Sequence, residues 1–182
     1  MAMAAIAERG LAALTMAELG RQVGMSGGHL LYYFGSKDQL LLETLRWSEA
    51  QLGERRRAAL AEPVPAARRL AAYIDLYLPT GAGDPRWTLW IEVWGRSLGD
   101  EQMRVGQAEL EAAWRGELVP LLRAGIAAGE FRAVDAERFA LRLGAMLDGF
   151  GTPLVIGLPG VTRELALEHI GDYLDEVLHL HR

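Results

Sequence analysis

Thr15, Ser26, Gly27, Gly28, His29, Tyr32, Tyr33 and Lys37 lie in one short stretch. They offer hydroxyls, phenols, an imidazole, an amine and a pair of glycines. Such groups suit holding a phosphate backbone and touching base edges. Ser26 to His29 read as the first turn of a helix, whose unpaired N–H groups can meet a phosphate, and two glycines allow close approach. His29 can donate to or accept from a base edge. Tyr32 fits base or sugar contact, and Tyr33 a phosphate. Lys37, at the start of the next helix, is placed for a phosphate, as is Thr15 at the start of the previous one.

Those residues need a frame, and the same stretch supplies it. Thr15 with Glu18 is a capping box, and Ser36 with Gln39 a second one. Ser26 can cap the helix between them. Counting from Met16, the fifth residue is Gly20, the ninth Gly24 and the fifteenth Leu30. A small fifth residue lets two helices cross closely. The Gly at the ninth makes the sharp turn, and the apolar fifteenth locks the second helix on the first. This is the geometry of a helix-turn-helix, whose second helix enters the major groove. An αα-corner without a DNA role shares part of it; three coincident matches with caps in register favour the reading head.

The chain has 182 residues, 51% apolar, with seven Pro and no Cys or Asn. No alternating strand pattern is visible, so the expected class is all-α. Absence of Cys fits a reducing compartment. The apolar runs fall short of a membrane span and no signal pattern opens the chain, so the expected location is the cytoplasm, with no membrane partner. Net charge is −5, but it is unevenly spread: residues 1–60 sum to +1 and residues 61–182 to −6. A weakly basic head argues against strong non-specific DNA affinity.

The expected organisation is a three-helix reading domain over 1–46 and a helical domain over 47–182, about nine helices in all. Helix 4 runs from about Lys37 to Leu60 and joins the two, with Pro63 and Pro65 after it. Helices are expected near 2–13, 16–23, 27–34, 66–79, 86–98, 100–125, 135–155 and 162–180. Pro120 predicts a kink in the seventh. Arg55, Arg56 and Arg57, roughly 27 Å along helix 4 from Lys37, read as a solvated helix end.

Tyr73, Tyr77, Trp87, Trp90, Trp94 and Trp114 make the second part rich in aromatics. They read either as core or as the wall of a pocket. Glu92, Arg142 and Asp148, in or beside apolar helices, keep the pocket open. The candidate lining is Tyr73, Tyr77, Trp90, Trp94, Trp114 and Asp148, and a cationic or aromatic ligand suits it. The last two helices are apolar over wide faces. Leu143, Leu147, Phe150, Leu154, Ile170, Leu174 and Val177 could pair with a second copy in a twofold four-helix contact, or be buried within one chain. His169, His179 and His181 do not share a helical face, so no metal site is expected. No nucleophile–base set and no phosphate loop is present, so neither an enzyme nor a cofactor is expected.

The N-terminal block resembles the tetracycline-repressor (TetR) family of transcriptional regulators. The resemblance rests on R-G-L (Arg9–Leu11), on Leu14–Leu30 and on Y-Y-F-G-S-K-D-Q-L-L (Tyr32–Leu41). It covers about the first 45 residues. It implies a homodimer that places helix 3 in successive major grooves, with a small-molecule effector among helices 5 to 8 that releases operator DNA. The expected function is a ligand-responsive regulator, most simply a repressor. An all-helical ligand-binding or scaffold protein that no longer reads DNA is the alternative. Leu31, Gly27 and the missing basic lead-in depart from the family pattern, and all three remove DNA contacts.

Overall fold

The computed structural model describes residues 2–179, which form nine helices and one isolated bridge between Phe131 and His179. The helices are α1 (Ala2–Arg9), α2 (Met16–Val23), α3 (Gly27–Phe34), α4 (Lys37–Leu60), α5 (Ala66–Tyr77), α6 (Pro85–Ser97), α7 (Glu101–Ala127), α8 (Ala136–Ile156) and α9 (Arg163–Val177). The all-α class is as expected.

Local chemistry sets the helix ends. The Thr15 hydroxyl accepts the Glu18 N–H at 3.2 Å and the Glu18 carboxylate accepts the Thr15 N–H at 2.8 Å, closing the capping box. Gly24 stops α2 at φ +71°, a conformation in which a side chain is strained. Ser26 caps α3 by accepting the His29 N–H at 3.1 Å. Only half of the box expected at α4 forms. Ser36 accepts the Gln39 N–H at 3.0 Å, while the Gln39 amide donates to Gln102 at 2.7 Å. Asp84, Asp135 and Thr162 cap α6, α8 and α9. α7 remains a single helix through the exposed Pro120, and α9 ends at Val177 rather than near Leu180, which lies outside the described residues.

The chain forms two compact units. The first joins Met1–Gln51 with Gly83–Leu110, and the second joins Leu52–Ala82 with Glu111–Arg182. The core of the first gathers Ile6, Leu11, Leu19, Leu30, Leu41, Leu45, Leu89 and Val93, so α6 packs with the N-terminal helices. The core of the second gathers Leu70, Tyr73, Leu118, Leu122, Phe139, Leu143, Leu147 and Ile170. Helix α4 contributes residues to both units.

Of the candidate pairing residues, Leu143, Leu147, Leu154, Ile170 and Leu174 are buried inside their own chain, at 6% exposure or less. Phe150 and Val177 are half-buried at the edge of that core. The outward side of α8 carries Leu141 and Ile156, 62% and 58% exposed, together with the exposed Glu137, Arg138 and Arg142. By length and composition α8 could also cross a bilayer, contrary to the reading of the apolar runs, but its inner side forms part of the second core.

Candidate functional site

Helix α3 stands against α2 with almost no clearance. A Cβ on Gly20 would lie 2.5 Å from the Met25 carbonyl oxygen, and one on Gly27 would lie 2.7 Å from the Ala17 nitrogen. Gly27 therefore serves the crossing of the two helices. Gly28 is exposed, with only the Ser26 hydroxyl near its missing side chain, at 4.0 Å. Leu30 is buried beneath the crossing and Phe34 packs beside it.

The opposite face of α3 is open. Tyr32 is 84% exposed, Tyr33 65% and Leu31 49%. Their rings support one another: His29 and Tyr33 sit 5.0 Å apart, and Tyr32 meets Tyr33 edge-on at 5.7 Å. A row of two phenols and an imidazole on one exposed helix face, with Ser26 and Thr15 also exposed, brings the sequence-derived contacts together.

Lys37 behaves differently. Its ammonium donates to the Leu14 carbonyl at 2.9 Å and is half-buried, so it ties the start of α4 to the turn before α2. An ammonium has three donors, and the others remain compatible with a phosphate. Further polar ties hold the head. The Leu11 N–H donates to Glu92 at 3.0 Å. Arg96 pairs with Glu92 and, at 2.7 Å, with Asp38. Glu92, read from sequence as a possible pocket acid, is thus a strut between α6 and the turn after α1. Glu18 is held well below the usual carboxylate range, at about 2, first by the Thr15 backbone N–H, then by the Thr15 hydroxyl and Arg9.

The aromatic set divides between the units. Trp87, Trp90 and Trp94 belong to the first, where Trp90 and Trp94 lie 6.1 Å apart and the Trp90 indole donates to the buried Glu49 at 2.8 Å. Tyr73, Tyr77, Trp114 and Asp148 belong to the second and come together there. Trp114 meets Tyr77 edge-on at 4.7 Å and Tyr73 at 5.3 Å. The Tyr73 hydroxyl donates to the Trp114 carbonyl at 3.2 Å, and the Tyr77 hydroxyl donates to Asp148 at 2.7 Å. Burial pushes the Asp148 carboxyl above its usual range; the Tyr77 bond opposes this and the Glu111 charge adds to it. Burial, then the Asp148 charge, pushes the Tyr77 phenol up, so it stays a donor. None of the ion pairs among the described residues includes Asp148. Aromatic rings plus a half-buried carboxylate without a cationic partner among the described residues suit a cation. Arg142, on the same helix, is exposed.

Sequence reasoning missed Arg56. It is 3% exposed, its guanidinium lies 3.7 Å over the Trp114 ring, and it pairs with Glu117. The signal was phase: Leu45, Leu52, Arg56 and Leu60 share one face of α4, whereas Arg55 and Arg57 point outward. His179 bonds Asp175 at 2.7 Å and His169 stacks on Phe150; His181 lies outside the described residues. No group of three metal-ligating side chains occurs among the described residues.

Known proteins match both ends of this chain. Residues 1–44 match the sequence model for bacterial regulatory proteins of the tetR family, and residues 66–179 match that for the BetI-type transcriptional repressor C-terminal part. The HTH-type transcriptional regulator BetI of Paraburkholderia xenovorans (strain LB400) is 32% identical over 178 residues, covering 95% of this chain and 87% of that protein. The BetI regulator of Vibrio parahaemolyticus is 31% identical, covering 97% and 87%. A protein of Saccharomonospora viridis, described as a transcriptional regulator and solved with choline, superposes with a TM-score of 0.89 at 29% identity, covering 99% of this chain and 94% of that one.

Proposed function

The chain belongs to the tetR family of bacterial regulatory proteins, and on that premise we propose that it is a repressor whose effector is a quaternary ammonium cation held by Tyr77, Trp114 and Asp148. It is a ligand-responsive, DNA-binding transcriptional regulator, not an enzyme. One observation carries the effector class: a half-buried carboxylate, bonded at 2.7 Å by a phenol and flanked by aromatic rings, with no cationic side chain paired to it among the described residues. A quaternary ammonium has no N–H to satisfy, so ring faces and one carboxylate are sufficient to hold it. The choline seated in the Saccharomonospora viridis protein is a cation of this kind.

The work divides as reading in residues 1–46 and effector binding and pairing in residues 47–182. The protein acts as a homodimer on two half-sites, in the cytoplasm and away from membranes. Helix α3 presents His29, Tyr32 and Tyr33 to the major groove, with Thr15, Ser26, Gly28 and Lys37 against the backbone. The effector releases operator only so far as it binds the non-reading arrangement better.

Titration of intrinsic Trp fluorescence with choline, beside a mobility shift on the duplex upstream of the protein's own coding sequence, tests this. Choline is expected to quench fluorescence and release that duplex, with Asp148→Asn weakening it at least about tenfold. Equal, weak binding to every duplex would overturn the regulator. Indifference to choline would overturn the effector.

A further inference from the structure

Helix α3 carries few of the side chains that usually read bases. Its sequence, G-G-H-L-L-Y-Y-F, holds no Arg, Lys, Asn, Gln, Asp or Glu. Those are the residues that make bidentate or charge-assisted bonds to base edges. The polar groups left are an imidazole and two phenols, whose rings lean on one another. What the helix exposes instead is apolar bulk. Leu31, Tyr32 and Tyr33 follow one another at 49%, 84% and 65% exposure. Among the described residues no other three consecutive large hydrophobic side chains are exposed. Single exposed apolar residues are ordinary, whereas a contiguous set marks a contact surface.

Leu31 is the aliphatic member of that set. In a helix each Cα–Cβ bond tilts toward the N-terminus, so a side chain covers the turn before its own Cα. Leu31 and Tyr32 stand three and four residues after Gly28 and therefore share its face. Gly28 is exposed and brings no side chain. A Cβ built there would meet nothing nearer than the Ser26 hydroxyl, at 4.0 Å, so the space beside both side chains is open. The helix cannot roll to close it. Leu30 is buried at 4% exposure, and Gly27 is pressed on the Ala17 backbone. In a helix-turn-helix it is the N-terminal part of the second helix that reaches base edges. A base pair presents one apolar group in the major groove, the C5-methyl of thymine.

Resting on the reading of α3 as the helix that enters the major groove, we propose that Leu31 reads thymine by packing on its C5-methyl group. Leu31 is then a specificity-determining residue, and the operator carries a thymine at a fixed place in each site that α3 enters. The contact needs neither donor nor acceptor. Cytosine, adenine and guanine offer no methyl there, so they leave Leu31 against water or polar edges. The charge of the head fits this mode. Residues 1–60 sum to only +1, so phosphate attraction is weak and base contacts carry more of the affinity.

Selection from a random-sequence duplex pool by the full chain, followed by anisotropy titration, tests it. The enriched duplex is made twice, once with thymine and once with uracil, which pairs in the same way and lacks only the methyl. Wild type is expected to bind the thymine form about four- to fifteenfold tighter, the worth of one or two buried methyl groups. Leu31→Ala is expected to bind both forms alike, and Leu31→Met, which keeps an aliphatic reach, to retain a preference. Leu31 is half exposed and alanine favours a helix, so the head stays folded in the first variant. Equal binding of the two forms by wild type overturns the proposal. So does a preference that Leu31→Ala preserves, because groove shape rather than Leu31 then distinguishes the two forms. If the pool yields no enriched sequence, or if Tyr32→Ala leaves affinity for the enriched duplex unchanged, the reading of α3 itself falls. Affinity that Tyr32→Ala weakens but that shows no thymine preference leaves α3 in the groove and removes only Leu31's part.

Discussion

Asp148 carries the clearest consequence for a single residue. Its carboxyl is raised above the usual range by burial in the folded chain. The folded state therefore favours the protonated form. That contribution is full below the ordinary Asp value and is lost as pH rises through the raised one. A bound quaternary ammonium favours the ionised form, so its stabilisation runs the other way. The rise in Tm caused by saturating choline is expected to be largest at pH 8 and to shrink as pH falls through the Asp148 titration; an unchanging difference across that range would contradict the assignment. Glu18 moves oppositely: the head's stability from its cap is present above the ordinary value of 4.5 and is lost as pH falls toward about 2. Comparing Tm with and without choline at each pH removes that background, because Glu18 lies in the other unit.

The reading helix depends on its crossing with α2. An added Cβ at Gly27 would meet Ala17 backbone at 2.7 and 2.8 Å, and backbone cannot rotate away. Gly27→Ala is expected to destabilise the head by about 2 kcal/mol or more. Gly28→Ala, with nothing closer than 4.0 Å, is expected to be neutral or slightly stabilising. Denaturant unfolding of both variants measures the contrast; equal losses would contradict it. This crossing was legible in the sequence because its determinants are close in the chain: the Thr15 and Ser26 caps, the αL Gly24, and the apolar spacing to Leu30. The effector cluster was legible only as an inventory. Tyr77 and Asp148 are 71 positions apart, and nothing local shows that they share a hydrogen bond. Trp90 and Trp94 have the right chemistry, but helical periodicity identifies a face without saying which core it joins. Arg56 was hidden by its neighbours, since three consecutive arginines at a helix end read as solvated even though the middle one falls on the inner face.

For the whole molecule, the proposed pairing must use what the core leaves outside. Leu141 and Ile156 lie on the outward side of α8, fifteen positions apart, and so on nearly the same helical face. The double variant Leu141→Glu, Ile156→Glu is expected to shift the protein from dimer to monomer in sedimentation analysis and to lose tight operator binding, with little change in helix content. A dimer that persists would place the interface elsewhere. The uneven charge suits the proposed reading: residues 61–182 carry a net −6, so the chain's negative charge lies mostly outside the segment proposed to approach duplex phosphates. The head also holds the chain's single lysine. Lys37 is clamped on the Leu14 carbonyl at 2.9 Å, next to the face proposed to meet DNA. Apart from the α-amino group, an acylating reagent finds one amine in the entire sequence. Its rate of reaction therefore registers how often that clamp opens and how well bound DNA covers it, a built-in reporter that needs no engineered label.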